Sequence, residues 1–309
     1  MAPDTVFSPK CNAARELHPK TDPLISVGIP TYNRAKSLAR TLECICSQTY
    51  TNLEVLISDN CSSDPEVRRV AERYMRLDGR IKATFNNMNH GPSLNFRKVL
   101  AKSTGKYFMW ASDDDYWEPS YIENLYKLLE KNQDAIIAFC DMDARNADGS
   151  TSHNYNSFYA TFSAYAEQST FKRVRSYALQ DPFLGKANLV YGLHKRSSLV
   201  MSFKRYFDST AWGSDMLLVC DILSQGSFVL AREKMFAKYI TTQEAPQTTP
   251  ATYLNIHKKK STYAFARLKY NVYLLLIVLS CNRLNAGEKI FLLKDILAQS
   301  ISWLRADLA

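Results

Sequence analysis

The sequence has no apolar run long enough to cross a bilayer: its first 23 residues scatter prolines among charges, and NVYLLLIVLSC at Asn271 to Cys281 is too short and too interrupted. Neither a signal peptide nor a spanning helix is expected, and residues 1–22 read as a flexible leader. Glycines are nowhere arranged as a phosphate-binding loop. The first turn reads PTYNRA, without the spacing of a dinucleotide fingerprint, and no GxxxxGK followed by Ser or Thr occurs. Hydride transfer and P-loop hydrolysis lose their main support. The seven cysteines, an odd number, lack the paired spacing of zinc ligands, and they read as reduced, mostly buried thiols in a reducing, cytoplasmic compartment. There is no aromatic–basic interleaving, zinc finger or arginine-rich arm, so sequence-specific nucleic-acid binding is not expected.

What is present is an enzyme-sized chain of 309 residues, 46% hydrophobic and 22% charged, a balance that favours a folded globule over disorder. The net charge of +9 favours anionic partners without choosing among nucleic acid, phospholipid and phosphorylated substrates. Strand and helix patterns alternate through the first half. Leu24 to Ile29 is a strand, and Leu38, Leu42 and Ile45 share one helix face. Leu53 to Ser58 is a second strand, followed by a helix capped by Ser63 or Asp64 and carrying Val67, Val70, Ala71 and Tyr74. Weaker strand Arg80 to Phe85, a short helix from Ser93, strand Tyr107 to Ala111, a helix through Ile122, Leu125 and Leu129, and strand Ile136 to Cys140 complete the run. This predicts an α/β fold with a mostly parallel central sheet covered by helices on both faces. From Ala144 to Gln168 the pattern weakens, which suits a lid loop or an irregular strand pair. Met216 to Leu223 resumes as helix and Phe228 to Ala231 as strand.

The acidic cluster Asp113, Asp114 and Asp115 follows the apolar strand YFMWA, so it should face the crevice beyond the strand ends where open α/β sheets bind ligands. Three adjacent carboxylates repel one another, and a divalent cation, Mg²⁺ or Mn²⁺, would relieve that repulsion while bridging to phosphate oxygens. Capping or a wet loop is the competing use of such a cluster. Asp59 and Asn60 end a strand in the same half, where they suit a nucleobase or ribose contact, or a simple Asx turn. Asp215, in AWGSD at Ala211 to Asp215, precedes an apolar helix and suits either a helix cap or a base that takes a proton from an acceptor hydroxyl. Trp212 can stack on a sugar or pack at an interface. His90 suits a surface role, a diphosphate contact or a place beside a metal, and His194, with Lys195 and Arg196, suits phosphate attraction or a solvated basic turn.

Three stretches, ISVGIPTYNRAKSLARTLECICSQTYTNLEVLISDNCSSD, NHGPSLNFRKVLAKSTGKYFMWASDDDYWEPSYIENL and AWGSDMLLVCDILSQGSFVLA, together resemble glycosyltransferase family 2, inverting enzymes with a GT-A fold. The resemblance runs from about Pro23 to Ala231. It implies that Pro30, Thr31 and Tyr32 form the first nucleotide-contacting turn and that Asp59 and Asn60 lie at the base. Asp113 and Asp114 would hold ribose and diphosphate, Asp113 and Asp115 the metal, and Asp215 would be the catalytic base. Many relatives carry a second aspartate where this chain has Asn60, and YITTQEAPQTTP lacks a histidine that completes the donor site in some of them.

The implied organisation is a catalytic unit over residues 23–240, with a nucleotide-sugar half over 23–143 and an acceptor half over 144–240. A largely helical C-terminal extension over 241–309 follows. The implied partners are a nucleotide diphosphate sugar donor and a saccharide or lipid-linked saccharide acceptor. The extension, with HKKK at His257 to Lys260 beside its apolar segment, suits either internal packing or peripheral contact with an anionic membrane surface. A sugar-phosphate nucleotidyltransferase and a non-catalytic binding or scaffold protein are the rival functions.

Overall fold

The computed structural model describes residues 22–146, 150, 158–182, 184–206, 212–240 and 260–308. The leader expected over 1–22, apart from Asp22, lies outside the described residues, as do Ala211 and the lysines at 258 and 259.

The chain alternates as its periodicity requires. Strand β1 (Ile25–Thr31) is buried at every position, the pattern of a strand covered on both faces. Helix α1 (Ala35–Cys46) buries Leu38, Leu42 and Ile45, and β2 (Leu53–Asp59) follows. Helix α2 (Pro65–Leu77) starts where Asp64 accepts from the Glu66 amide and proline takes the first helical position, two devices that satisfy or remove orphan donors. Then come β3 (Ile81–Phe85), α3 (Gly91–Lys102), β4 (Tyr107–Trp110), β5 (Tyr116–Trp117), α4 (Tyr121–Lys131) and β6 (Ala135–Asn146).

The weakly patterned stretch after Ala144 contains, among its described residues, the end of β6 and helix α5 (Phe158–Ser163). Phe158 and Phe162 of α5 stack and are buried, and Phe162 packs edge-on against Phe139 of β6. At six residues this helix is too short for a helical period to stand out in the sequence. Helix α6 (Thr170–Leu179), a 3-10 turn (Lys186–Tyr191), β7 (Leu193–Lys195), α7 (Arg196–Tyr206), α8 (Ser214–Gln225) and a long β8 (Ser227–Ile240) complete the body.

The eight strands form one sheet in the order β3-β2-β1-β4-β7-β6-β8-β5. Strands β3, β2, β1 and β4 are mutually parallel, β7 is antiparallel to β4 and β6, β6 runs parallel to β8, and β5 is antiparallel to β8. The mostly parallel sheet expected from the sequence is therefore present, with β7 and β5 as its reversed members. From β1 the chain steps outward to β2 and β3 and then returns to β4 on the other side of β1. That reversal opens a crevice at the carboxyl ends of β1 and β4, the usual ligand position in open α/β sheets. Gly28 permits the packing here: a Cβ on it would meet Phe108 and Val99 at 2.7 Å.

Two further helices, α9 (Lys260–Ser280) and α10 (Ala286–Leu308), form a hairpin that packs on the body, α9 against α8 and α10 against α6. Tyr270, Leu274 and Ile277 of α9 and Leu292 and Ile296 of α10 are fully buried. Gly213, in the left-handed region at φ 77°, lets the turn before α8 approach Tyr270, which a Cβ there would meet at 2.8 Å.

Leu274→Ala tests this docking. It is expected to cost about 2–5 kcal/mol in chemical denaturation, through lost burial and the cavity left between α9 and α8. A loss under about 1 kcal/mol would show that the hairpin does not pack on the body as described.

Candidate active site

The sequence motifs meet at the β1–β4 reversal. Pro30 and Thr31 are the last residues of β1, and Tyr32 opens the turn with its side chain exposed. Because β4 pairs with β1 only as far as Gly28, the missing amide of Pro30 removes no donor from that ladder. Thr31 donates its hydroxyl to Asp113 Oδ2 at 2.7 Å, which ties the end of β1 to the acidic turn after β4. Register Thr31↔Asp59 in the β1–β2 ladder brings Asp59 alongside.

The acidic turn is buried, with Asp113, Asp114 and Asp115 exposed by 6%, 8% and 0%. Burying anions without compensation is costly, and three cations gather here from different elements. Arg34, in the turn after β1, bonds Asp114 and reaches Asp113 Oδ1 at 3.3 Å. Arg40 of α1 donates to the Asp114 carbonyl at 2.9 Å and lies over the Tyr239 ring. Lys238 of β8 stands 3.6 Å from Asp115 Oδ2, and the Tyr239 amide donates to Asp115 Oδ1 at 3.3 Å. Asp115 Oδ2 has no hydrogen-bond partner. Burial pushes the Asp113 carboxyl up to about 6; the Asp114 charge adds to the rise, and Thr31 and Arg34 oppose it. Burial likewise pushes Asp115 up to about 7, with Lys238 opposing and Asp114 assisting.

Asp59 and Asn60 do different work from each other. The Asp59 carboxylate accepts from the Ser62 amide at 3.1 Å and from the Ser62 hydroxyl, so it closes an Asx turn. Asn60 donates to Asn89 Oδ1 at 2.8 Å and the Gly91 carbonyl at 3.1 Å, and accepts from the His90 amide at 3.0 Å. Its amide is thereby engaged on both sides in pinning the loop before α3. Two residues that the sequence reading passed over brace the same floor. Asn33, at φ 54°, accepts from the amides of Ser63 and Asp64, and buried Asn95 of α3 bridges the carbonyls of Ser58 and Thr31 at 2.9 and 3.3 Å. An asparagine after a β-strand turn and a lone polar residue on an apolar helix face were the available signals.

Asp215 lies in the first turn of α8, behind Gly213 as the capping residue, and its Oδ1 accepts from the Met216 amide at 2.8 Å. Its pKa is raised by burial, opposed by that amide bond and by nearby Lys186. Lys186 is itself fully buried and donates to the carbonyls of Tyr177 and Gln180 at 2.9 and 2.8 Å; burial lowers it to about 7. Tyr191 closes the 3-10 turn that precedes β7. The charges of Asp115, Asp114 and Asp215 all act on its hydroxyl, and Lys238 sits 5.7 Å from its ring.

Other candidates lie elsewhere in role. Trp212 is packed, 5% exposed and edge-on to Tyr270 at 5.1 Å. His194 is wholly buried within the sheet on β7, and burial lowers it to about 4, so it is neither a solvated basic residue nor a phosphate cation. His90 occupies the N-terminal boundary of α3. A groove of about 680 Å³ between α6 and α10, lined by Phe171, Arg175 and Phe291, includes none of these residues.

The donor set fits a divalent cation in part. Asp115 offers a buried oxygen without a hydrogen-bond partner, yet among the described residues no group of three or more His, Cys, Asp or Glu side chains converges to hold a metal. Such a site suits a cation that keeps waters and completes its shell with substrate phosphates, as Mg²⁺ commonly does.

The fold and the acidic strand-end crevice define a GT-A architecture. A family model for Glycosyl transferase family 2 matches residues 26–191, and the chain belongs to that family. It is 30% identical over 139 residues to the glycosyltransferase GlyG of Streptococcus pneumoniae serotype 4, covering 45% of this chain and 44% of GlyG. The matched region spans between 13% and 45% of the length of the first curated relatives. Among solved structures, S. aureus TarS 1-349 in complex with UDP-GlcNAc is similar with a TM-score of 0.63 at 17% identity, over 91% of this chain and 74% of TarS 1-349. The mannosyltransferase PcManGT from Pyrobaculum calidifontis, in complex with GDP-Man and Mn²⁺, is similar with a TM-score of 0.54 at 14% identity, over 93% of this chain and 76% of its own.

The raised carboxyl pKa values have a direct consequence for stability. Folded Asp115 holds its proton more tightly than the unfolded chain, so stability falls as pH rises from about 4 to about 7 and levels off above. Asp115→Asn removes this penalty. In urea denaturation without divalent metal, its stability relative to wild type should grow over that pH interval. A difference independent of pH would show that Asp115 titrates in the fold as it does unfolded.

Proposed function

We propose that the protein transfers a sugar, with inversion, from a nucleotide diphosphate donor to a hydroxyl of a saccharide or lipid-linked saccharide. The observation that carries this reading is the buried acidic turn Asp113 to Asp115 at the sheet's reversal, tied to the end of β1 by the Thr31–Asp113 hydrogen bond. Family membership supports glycosyl transfer as the general reaction. The printed complexes of TarS with UDP-GlcNAc and PcManGT with GDP-Man and Mn²⁺ support a nucleotide-sugar donor and a divalent cation.

In this reading the end of β1, Pro30 to Tyr32, with Asp59 and Asn60 beside it, forms the base and ribose side of the donor site. Asp113 and Asp114 hold the ribose and diphosphate, and Asp113 and Asp115 hold Mg²⁺ or Mn²⁺. When bound, that cation stabilises the charge of the departing nucleoside diphosphate. Arg34 and Lys238, whose charges offset the carboxylates, also supply positive charge beside the diphosphate. Asp215 takes the proton of the acceptor hydroxyl as it attacks. The burial that raises the carboxyl's pKa makes it a stronger base than a solvated aspartate. Residues 23–143 serve the donor and 144–240 the acceptor in this division of labour. A cytoplasmic setting accords with free thiols at Cys44, Cys61, Cys140, Cys220 and Cys281.

A panel of UDP, GDP, dTDP and CDP sugars against saccharide and lipid-linked acceptors tests the reaction. Glycosylated product with release of nucleoside diphosphate is expected; release of pyrophosphate would identify a nucleotidyltransferase, and donor binding without product on any acceptor a scaffold. Asp215→Asn should lower kcat by about 10²–10⁴ while donor affinity stays within a few-fold. Equal activity in that variant would remove Asp215 from the role of base. Chelation by EDTA should abolish turnover, and Mn²⁺ or Mg²⁺ should restore it; full activity in EDTA would show that the cations of the protein suffice.

A further inference from the structure

The hairpin of α9 and α10 buries one side against the body and leaves the other side apolar. On α9, Phe265, Leu268, Val272, Leu276 and Leu279 are 46–68% exposed, and their spacing of three, four, four and three residues sets them in a single stripe. On α10, Ile290, Leu297, Ile301 and Leu304 are 41–54% exposed and recur at seven, four and three residues, again one stripe. Both helices turn their buried sides toward α8 and α6, so the two stripes lie side by side on the outward surface. Helices of 21 and 23 residues give this surface a length of roughly 30 Å.

The charges around the stripes indicate what covers them. Among the residues of the two helices whose side chains are described, the exposed ionisable ones are Lys269, Lys294 and Arg305, all basic. Lys269 and Lys294 each stand four residues after a stripe residue, Phe265 and Ile290, and Arg305 stands four after Ile301. The acids of these helices whose side chains are described are already engaged: Asp295 pairs with Arg175 of α6 at 2.7 Å, and Glu288 accepts from the Asn285 amide at the start of α10. No helix of the described residues is long and apolar enough to cross a membrane. An apolar plate bordered by one sign of charge therefore suits a surface that is apolar beneath and anionic on top.

We propose that the outward face of α9 and α10 rests in the headgroup region of an anionic lipid bilayer, with the apolar stripes inserted at the acyl boundary and Lys269, Lys294 and Arg305 on the phosphates. The hairpin lies along the surface and does not span it. A second copy of this chain fits the same face less well, since two-fold pairing would bring three basic side chains from each copy together on a chain whose net charge is already +9. The proposal does not depend on the transfer reaction. Its basic residues are part of the folded hairpin, whereas the lysines at 258 and 259, singled out in the sequence, lie outside the described residues.

Vesicle flotation of the full-length protein tests the proposal, using phosphatidylcholine vesicles with and without phosphatidylglycerol. Binding should be at least about tenfold tighter with phosphatidylglycerol and should weaken as salt is raised. K269E/K294E/R305E should lower that binding on the order of 100-fold. Leu276→Gln with Ile301→Gln should lower it about tenfold or more with the thermal midpoint unchanged, because both side chains point away from the body. Equal binding to both kinds of vesicle, or wild-type binding by the charge-reversed variant, overturns the proposal. A concentration-dependent dimer in sedimentation that Leu276→Gln with Ile301→Gln abolishes, together with no vesicle binding by wild type, would assign the face to a second copy.

Discussion

Three consecutive aspartates at the end of a buried strand create an electrostatic demand that reaches across the whole sheet. Their carboxylates cannot retreat into solvent, since Asp115 is wholly buried and its neighbours nearly so. Neutralisation comes from far apart in the chain: Arg34 after β1, Arg40 from α1 and Lys238 near the end of β8. Strand β8 must therefore run its full 14 residues to carry Lys238 and the Tyr239 amide to Asp115. The reversal between β1 and β4, the first helix and the far side of the sheet are all fixed by the same tripeptide. Binding carboxylates to cations in this way also leaves one acceptor, Asp115 Oδ2, without a hydrogen bond. Buried polar networks of this kind are stabilising only when their members are satisfied, so an incomplete one marks a place where a ligand would be accommodated.

Around that turn the floor of the crevice is made of short polar side chains in place of a glycine loop. Asn33 and Asp59 latch the turns after β1 and β2 to each other through Ser62, Ser63 and Asp64. Asn95 reaches from α3 to hold the carbonyls at the ends of both strands, and Asn60 holds the loop that precedes α3. Rigid turns keep a reacting geometry without large reorganisation, which is where positioning contributes most to catalysis. The same economy is seen behind Asp215, where Lys186 bonds carbonyls at the end of α6 and leaves its charge within reach of the carboxylate.

Much of this was legible in the residues. Strands β1 and β2 announced themselves as apolar runs, α1 and α2 by their spacing, and the SDDD and SDN turns by acids and amides where the runs stop. The combination resembled one family, to which the chain belongs. Less legible were α5, whose six residues are too few to show a period, and the length of β8, whose AREK stretch interrupts its apolar pattern. His194 looked like part of a basic turn because Lys195 and Arg196 follow it; strand pairing between β4 and β6 buried it instead. Trp212 offered two uses, and the arrival of α9 selected packing against Tyr270.

The sequence by itself determined the alternation of elements and the residue types gathered at the strand ends, because these depend on local periodicity and on composition. Tertiary structure decided which cations neutralise the acidic turn, whether Asn60 has any donor to spare, and that His194 is buried within the sheet. It also decided that one side of the C-terminal helices is covered and the other open. The physical reason is common to all four: charge compensation, hydrogen-bond satisfaction and burial are properties of neighbours in space, and distance along the chain carries almost no information about them.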